Sequence, residues 1–118
     1  MTWDDVLALA LAFPGVEEGT SYGTPALKAN GKFLTRLRAE DGSVVLVDVT
    51  FDEREMLMAA EPQTFHLTPH YQNYPSVLAR LENLDPGTLR NFLERRWRNV
   101  SPKRVVKGWD ETRKAEAS

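Results

Sequence analysis

The chain has 118 residues, 42% of them apolar and 27% charged, with a formal net charge of −2 and no cysteine. That length allows one domain with a substantial core, and the composition is that of a folded globular protein rather than a disordered chain. Without cysteine there can be no disulfide, thiolate metal site or cysteine nucleophile, while a charge this close to zero neither favours nor excludes a nucleic-acid partner.

The first residues, MTWDDVLALALAFPG, contain an apolar run of about ten residues behind an acidic front. The run is too short to span a bilayer and lacks the basic flank of a signal peptide, so a cytosolic protein is expected. Thr2 can cap a helix with Asp5 as its capping-box partner, and Asp4 suits the positive helix end. Trp3, Val6, Leu7, Ala10 and Phe13 recur at helical spacing until Pro14-Gly15 stops the run.

From Glu17 to Thr50 the period changes to that of strands. The GTSYGTP segment (19–25) brings in a first strand and a turn. Asn30-Gly31 between two apolar runs predicts a tight hairpin, because both turn positions need a positive φ. Phe33, Thr35 and Leu37 alternate with Leu34, Arg36 and Arg38, which predicts one apolar and one basic face. After the Glu40-Asp41-Gly42 turn, Val44 to Val49 is a β-branched run suited to a central strand. Phe51 to Met56 has the make-up of a helix start with Asp52 as cap, Glu55 reaching back and Phe51 stapled onto Met56.

Residues 64–81, TFHLTPHYQNYPSVLARL, hold both histidines and two of the three tyrosines. They are expected to form a strand near Phe65–Thr68, a loop, and a strand near Val77–Leu81. Asp85 and Pro86 begin another helix with Leu89, Phe92, Leu93, Trp97 and Val100 as its buried stripe. Ser101-Pro102 restarts a short basic helix anchored by Val105, Val106 and Trp109. The domain is therefore expected to span residues 1–109, with 110–118 as a frayed tail. The sum is an α+β domain with a central antiparallel meander packed against N- and C-terminal helices.

Catalytic and metal signatures are absent at the level of spacing. His66 and His70 would share a helix face, yet Pro69 stands between them and no third ligand is fixed, so no metal is expected. The glycines are too scattered for a phosphate loop, and the paired acids Asp4-Asp5, Glu17-Glu18 and Glu53 with Glu55 suit helix fronts and turns. The chain is expected to be neither an enzyme nor a cofactor carrier. An enzymatic reading would need His66 or His70 to meet a carboxylate such as Glu61 or Glu82 in a cleft.

Charge distribution is the stronger signal. Residues 1–89 carry a net −7, and residues 90–107 a net +6 from Arg90, Arg95, Arg96, Arg98, Lys103, Arg104 and Lys107 against Glu94 alone. On a helical wheel Arg95 and Arg98 lie off the buried stripe, while Arg96 falls on it and needs a carboxylate partner. With Lys32, Arg36 and Arg38 from the hairpin, the basic run could track a phosphate backbone. A solvated helix face balanced by the acidic remainder is the alternative for the same residues.

Three blocks then resemble the MmcQ/YjbR family of small bacterial proteins: FPGVEEGTSYGTPALKANGKFLTRL (13–37), TPHYQNYPSVLARL (68–81) and WRNVSPKRVV (97–106). The resemblance covers nearly the whole chain. It implies a compact α+β fold related to the frataxin-like shape, and a DNA-binding label that goes with a double-wing architecture. It supplies no catalytic residue. Two functions stay open. The first is a sequence-tolerant DNA-binding domain using Lys32, Arg36, Arg38, Arg95, Arg98, Lys103, Arg104 and Lys107. The second is a protein- or peptide-binding module using the sheet face or the 69–75 loop, with Tyr71, Tyr74 and Trp109 as contacts. A monomer or weak homodimer without membrane or metal partners is expected in either case.

Overall fold

The computed structural model describes residues 1–117. In chain order the elements are α1 (Trp3–Ala10), β1 (Val16–Ser21), β2 (Thr24–Ala29), β3 (Lys32–Arg38), β4 (Ser43–Val47), α2 (Phe51–Ala60), β5 (Phe65–His66), β6 (Ser76–Arg80), α3 (Pro86–Val100) and α4 (Lys103–Ala117). The six strands form one sheet in the order β1-β2-β3-β4-β6-β5, and every neighbouring pair is antiparallel. The first four strands are the expected meander. Two of its turns, Tyr22-Gly23 and Asn30-Gly31, are two-residue hairpins with positive φ throughout, the conformation whose twist matches paired strands.

Local chemistry explains where the helices begin. Thr2 and Asp5 form the reciprocal capping box that opens α1, and the Thr2 N–H bond holds the Asp5 carboxyl below its ordinary range. Asp85 accepts from the Thr88 N–H with Pro86 in the first turn of α3. For α2 the cap is Thr50, not Asp52: its hydroxyl accepts from the Glu53 N–H at 3.1 Å. Beginning the helix at Phe51 leaves both Phe51 and Met56 exposed, so no staple forms between them.

The main core lies on one face of the sheet. Val6 and Ala10 of α1, together with Leu89, Phe92, Leu93 and Trp97 of α3, bury the strand residues Leu27, Ala29, Leu34, Val44, Leu46, Val77 and Ala79. Leu57 and Met58 of α2 and Val105, Val106 and Trp109 of α4 close its margins. Residues 110–117 continue α4, in place of the expected frayed tail. The physical reason is a set of tertiary ion pairs: Arg98 binds Asp110 in a fork at 2.6 and 3.1 Å, and Arg113 reaches Glu94 at 3.3 Å. Arg98 also holds the Asp110 carboxyl below its usual range.

Strict alternation fails in β3. The register against β2 shifts between Leu27 and Lys28, where Leu34 is the extra residue of a bulge. The bulge puts Leu34 into the main core and leaves Phe33 on the opposite face, beside Val45, Tyr71 and Leu78. The expected grouping of Phe33 with Thr35 and Leu37 is thereby corrected. Thr35, buried at the bulge, donates its hydroxyl to the Val45 carbonyl at 2.6 Å, satisfying an acceptor near the interrupted ladder. No helix is long and apolar enough to cross a membrane.

Candidate functional site

The second face of the sheet carries no helix. By the pleat it presents Thr24 and Ala26 of β2, Phe33, Arg36 and Arg38 of β3, Ser43, Val45 and Val47 of β4, and Ser76 and Leu78 of β6. Residues 67–75, including a single 3-10 turn at Pro69–Tyr71, fold back over part of it. The part left uncovered is a cleft of about 440 Å³, with Tyr22, Phe33, Arg36, His70, Tyr71 and Tyr74 among its walls. A volume of this order suits a compact organic ligand.

Arg54 holds the loop wall of the cleft in place. This buried side chain of α2 spreads its guanidinium over the carbonyls of Tyr71, Gln72, Tyr74 and Ser76, at 3.0 to 3.5 Å. The Tyr71 and Tyr74 carbonyls also accept from the Tyr74 and Ser76 N–H groups, so the guanidinium ties these turns and the start of β6 to α2.

At the centre is Arg36, 7% exposed. Its Nε and Nη2 both donate to the Tyr71 hydroxyl, at 3.2 and 2.6 Å, and Nη1 donates to the Thr24 hydroxyl and the Leu37 carbonyl at 3.3 and 3.4 Å. The Tyr22 ring lies 5.2 Å from its guanidinium carbon. His70 meets Tyr71 edge-on at 4.8 Å and Tyr22 at 6.3 Å, with Tyr74 at 6.3 Å on the other side.

Tyr22 stands out for its backbone. It sits at φ 53°, where a bulky side chain is strained, and the residue is 81% exposed. Asparagine or glycine would suit that turn position better. The replacement Tyr22→Asn is therefore expected to raise stability by roughly 0.5–1 kcal/mol, measured by urea denaturation. A loss of stability would mean that the ring contributes more through packing on Arg36 than its backbone costs.

The basic residues singled out in the sequence do not share this face. Arg36 and Arg38 lie here, whereas Arg95 and Arg98 belong to α3 on the other side. Three are already engaged: Arg38 with Glu40 and Asp41, Arg95 in a fork with Glu53, and Arg98 with Glu94 and Asp110. Arg96 has the carboxylate partner its stripe position required, Asp48 at 3.2 Å. Lys32, Lys103, Arg104 and Lys107 remain exposed and without a recorded ion pair. They gather near one end, where Asn30 of the β2–β3 turn bonds Ser101 at the α3–α4 joint.

Tyr71, Tyr74 and Trp109 are likewise divided. Tyr71 is buried and forms part of the cleft wall, and Tyr74 is an exposed part of it. Trp109 packs on Phe13 and Trp97 on the helical side. Tyr22 and Phe33 are the aromatic wall residues that sequence reasoning missed, while His70 was weighed only for an enzymatic or metal role. A tyrosine in the Tyr-Gly turn position was the available signal for Tyr22.

His66 does meet a carboxylate, though neither Glu61 nor Glu82. Its Nε2 is 2.8 Å from the Ser43 hydroxyl and 3.6 Å from Asp41. Both partners crowd the same ring nitrogen and Ser43 is fully buried, so no acid orients the far nitrogen as a nucleophile–base relay requires. Burial first, then Arg80, lowers the His66 pKa from its ordinary 6.5, and Arg38 adds to this against the opposing Asp41. A depressed histidine pKa means the unfolded chain takes up the proton first, so stability is retained above about pH 6.5 and lost as pH falls below it. The stability of the wild type is expected to fall more between pH 7.5 and 5 than that of His66→Gln, read as urea midpoints; parallel curves would contradict this. No group of three metal-ligating side chains converges among the described residues.

Curated relatives carry no assigned activity. The chain is similar to the uncharacterized protein Mb2600 of Mycobacterium bovis and to the uncharacterized proteins MT2646 and Rv2570 of two Mycobacterium tuberculosis strains. Each is 28% identical over 122 residues, covering 92% of this chain and 95% of the relative. No solved structure matches significantly. A model of the YjbR family matches residues 11–99, three-quarters of the chain with the sheet, the 67–75 loop and all but the last residue of α3 inside it, and the chain belongs to the YjbR family.

Proposed function

We propose that this protein is a binding module that receives a compact organic molecule in the cleft on the helix-free face of its sheet. The observation that carries this reading is the cleft's construction. It is about 440 Å³, walled by aromatic rings from two separate segments, the strained Tyr22 turn and the Arg54-clamped loop. Flat, stiff side chains give contact area at low entropic cost, and strain held at a rim residue is a mark of function rather than of folding. Binding without turnover fits a site in which no histidine is set up as a base. A screen of aromatic fragments by amide-correlation NMR tests the reading. Hits are expected to move the signals of Tyr22, Phe33, His70 and Tyr74. If no fragment binds, or all shifts cluster on the α3–α4 side, the reading fails.

DNA binding is the second reading, and one observation favours it. Lys32, Lys103, Arg104 and Lys107 are exposed cations without recorded carboxylate partners, and α4 has no acidic residue in its first turn to offset Lys103 and Arg104. Phosphates would relieve that repulsion. Arg95 and Arg98 contribute only by giving up Glu53, Glu94 and Asp110, and Arg36 and Arg38 only through a second surface. Fluorescence anisotropy with duplex DNA at about 50 mM salt, where phosphate contacts are strongest, decides it. No binding there removes the DNA reading and leaves the cleft untouched.

A further inference from the structure

Arg36 and Arg54 are both buried arginines, but their surroundings differ. Arg54 is spent on four backbone carbonyls and does not line the cleft. Arg36 does line it, and its partners are the hydroxyls of Tyr71 and Thr24 and one long bond to a carbonyl. Among the described residues, no carboxylate forms an ion pair with Arg36. One acid, Asp48, lines the cleft itself and is held by Arg96 and Asn99, and Glu40 on the adjoining surface is held by Arg38. A desolvated guanidinium left without a counter-charge is unfavourable unless something anionic completes it.

Donor accounting gives the same direction. A guanidinium has five N–H donors, and four bonds are recorded for Arg36, which leaves one on Nη2. The Tyr71 oxygen accepts twice from Arg36, and no acceptor is recorded for its own proton. Two charge-assisted bonds received by a phenol make that proton a stronger donor.

We propose that the cleft takes the carboxylate of a small aromatic acid, seated on the remaining Nη2 proton of Arg36 and the hydroxyl proton of Tyr71. Two donors suit the two oxygens of a planar carboxylate, whereas a phosphate presents three oxygens and more charge than one guanidinium offsets. The ligand's ring lies among Tyr22, His70 and Tyr74, in offset or edge-on contact. This inference rests on the cleft being a ligand site and adds the charge and shape of what enters it.

The test compares naphthoate, neutral naphthamide and naphthyl phosphate on the intact chain by NMR titration. Naphthoate is expected to bind at least ~10-fold more tightly than naphthamide, the worth of one charge-assisted bond pair. Arg36→Gln should erase that gap, and Tyr71→Phe, which keeps the ring, should narrow it. Tyr71→Phe also serves if Arg36→Gln does not fold. Equal binding of naphthoate and naphthamide, or tighter binding of naphthyl phosphate, overturns the carboxylate assignment while the cleft remains a ligand site. Failure of all three compounds, together with an empty fragment screen, overturns both.

Discussion

Replacing Trp97 with alanine is expected to destabilise the protein by about 3–5 kcal/mol, the range for losing a large buried aromatic. Its ring is completely buried as one corner of a triangle of rings, 5.3 Å from Phe13 and 5.6 Å from Trp109, with Phe13 and Trp109 themselves 5.2 Å apart. Its indole N–H donates to the Pro14 carbonyl at 2.7 Å, joining α3 to the turn between α1 and β1. Alanine there leaves a cavity, orphans that carbonyl and removes the surface on which Trp109 seats α4. Thermal and urea denaturation give the loss directly. Trp97→Phe keeps most of the volume and is expected to cost less than half as much. If Trp97→Ala costs under ~1 kcal/mol, the helical layer contributes far less to stability than its burial suggests.

The features that sequence reasoning reached are those decided within a few residues. The Thr2–Asp5 capping box, the Asn30-Gly31 turn and the α3 stripe through Leu89, Phe92, Leu93 and Trp97 each follow from one local rule. Arg96 belongs with them, because its place on the stripe demanded a carboxylate. What was illegible depends on distant partners. The Leu34 bulge changes which residue of β3 faces the helices, and no local pattern marks it. The extension of α4 to Ala117 rests on Arg98, twelve residues before Asp110.

The site was hidden for the same reason. Arg36 looked like one cation among several, yet its partner is Tyr71, 35 positions away. The basic residues of the hairpin and of the 90–107 run became two groups on opposite faces of a sheet, and Arg38, Arg95 and Arg98 among them are neutralised by acids. Composition registers such charges as a patch; only the fold distinguishes a cation with a carboxylate from one without.

Arg54→Met should separate the stability of the fold from the integrity of the cleft. Methionine has much of the length of arginine and can still pack beneath Phe51, whose ring now lies 4.7 Å from the guanidinium carbon. It cannot donate, so the carbonyls of Tyr71, Gln72, Tyr74 and Ser76 lose their shared partner. Those nearer solvent can turn to water, and the expected cost is roughly 2–4 kcal/mol, about one or two unsatisfied acceptors' worth. The loss should be uneven. Hydrogen exchange is expected to rise across residues 67–76 while α1, α3 and the β2–β3 hairpin keep their protection, because no bond of Arg54 reaches them. Ligand binding should fall with it even though no residue touching the ligand has changed, since His70, Tyr71 and Tyr74 hang from the released segment. If the variant binds naphthoate as well as the wild type, the loop is held by its own packing on Val45 and Leu78 and Arg54 is a dispensable fastening. If instead protection is lost everywhere at once, the loop and the sheet fold as one unit, and the cleft owes its shape to the whole domain.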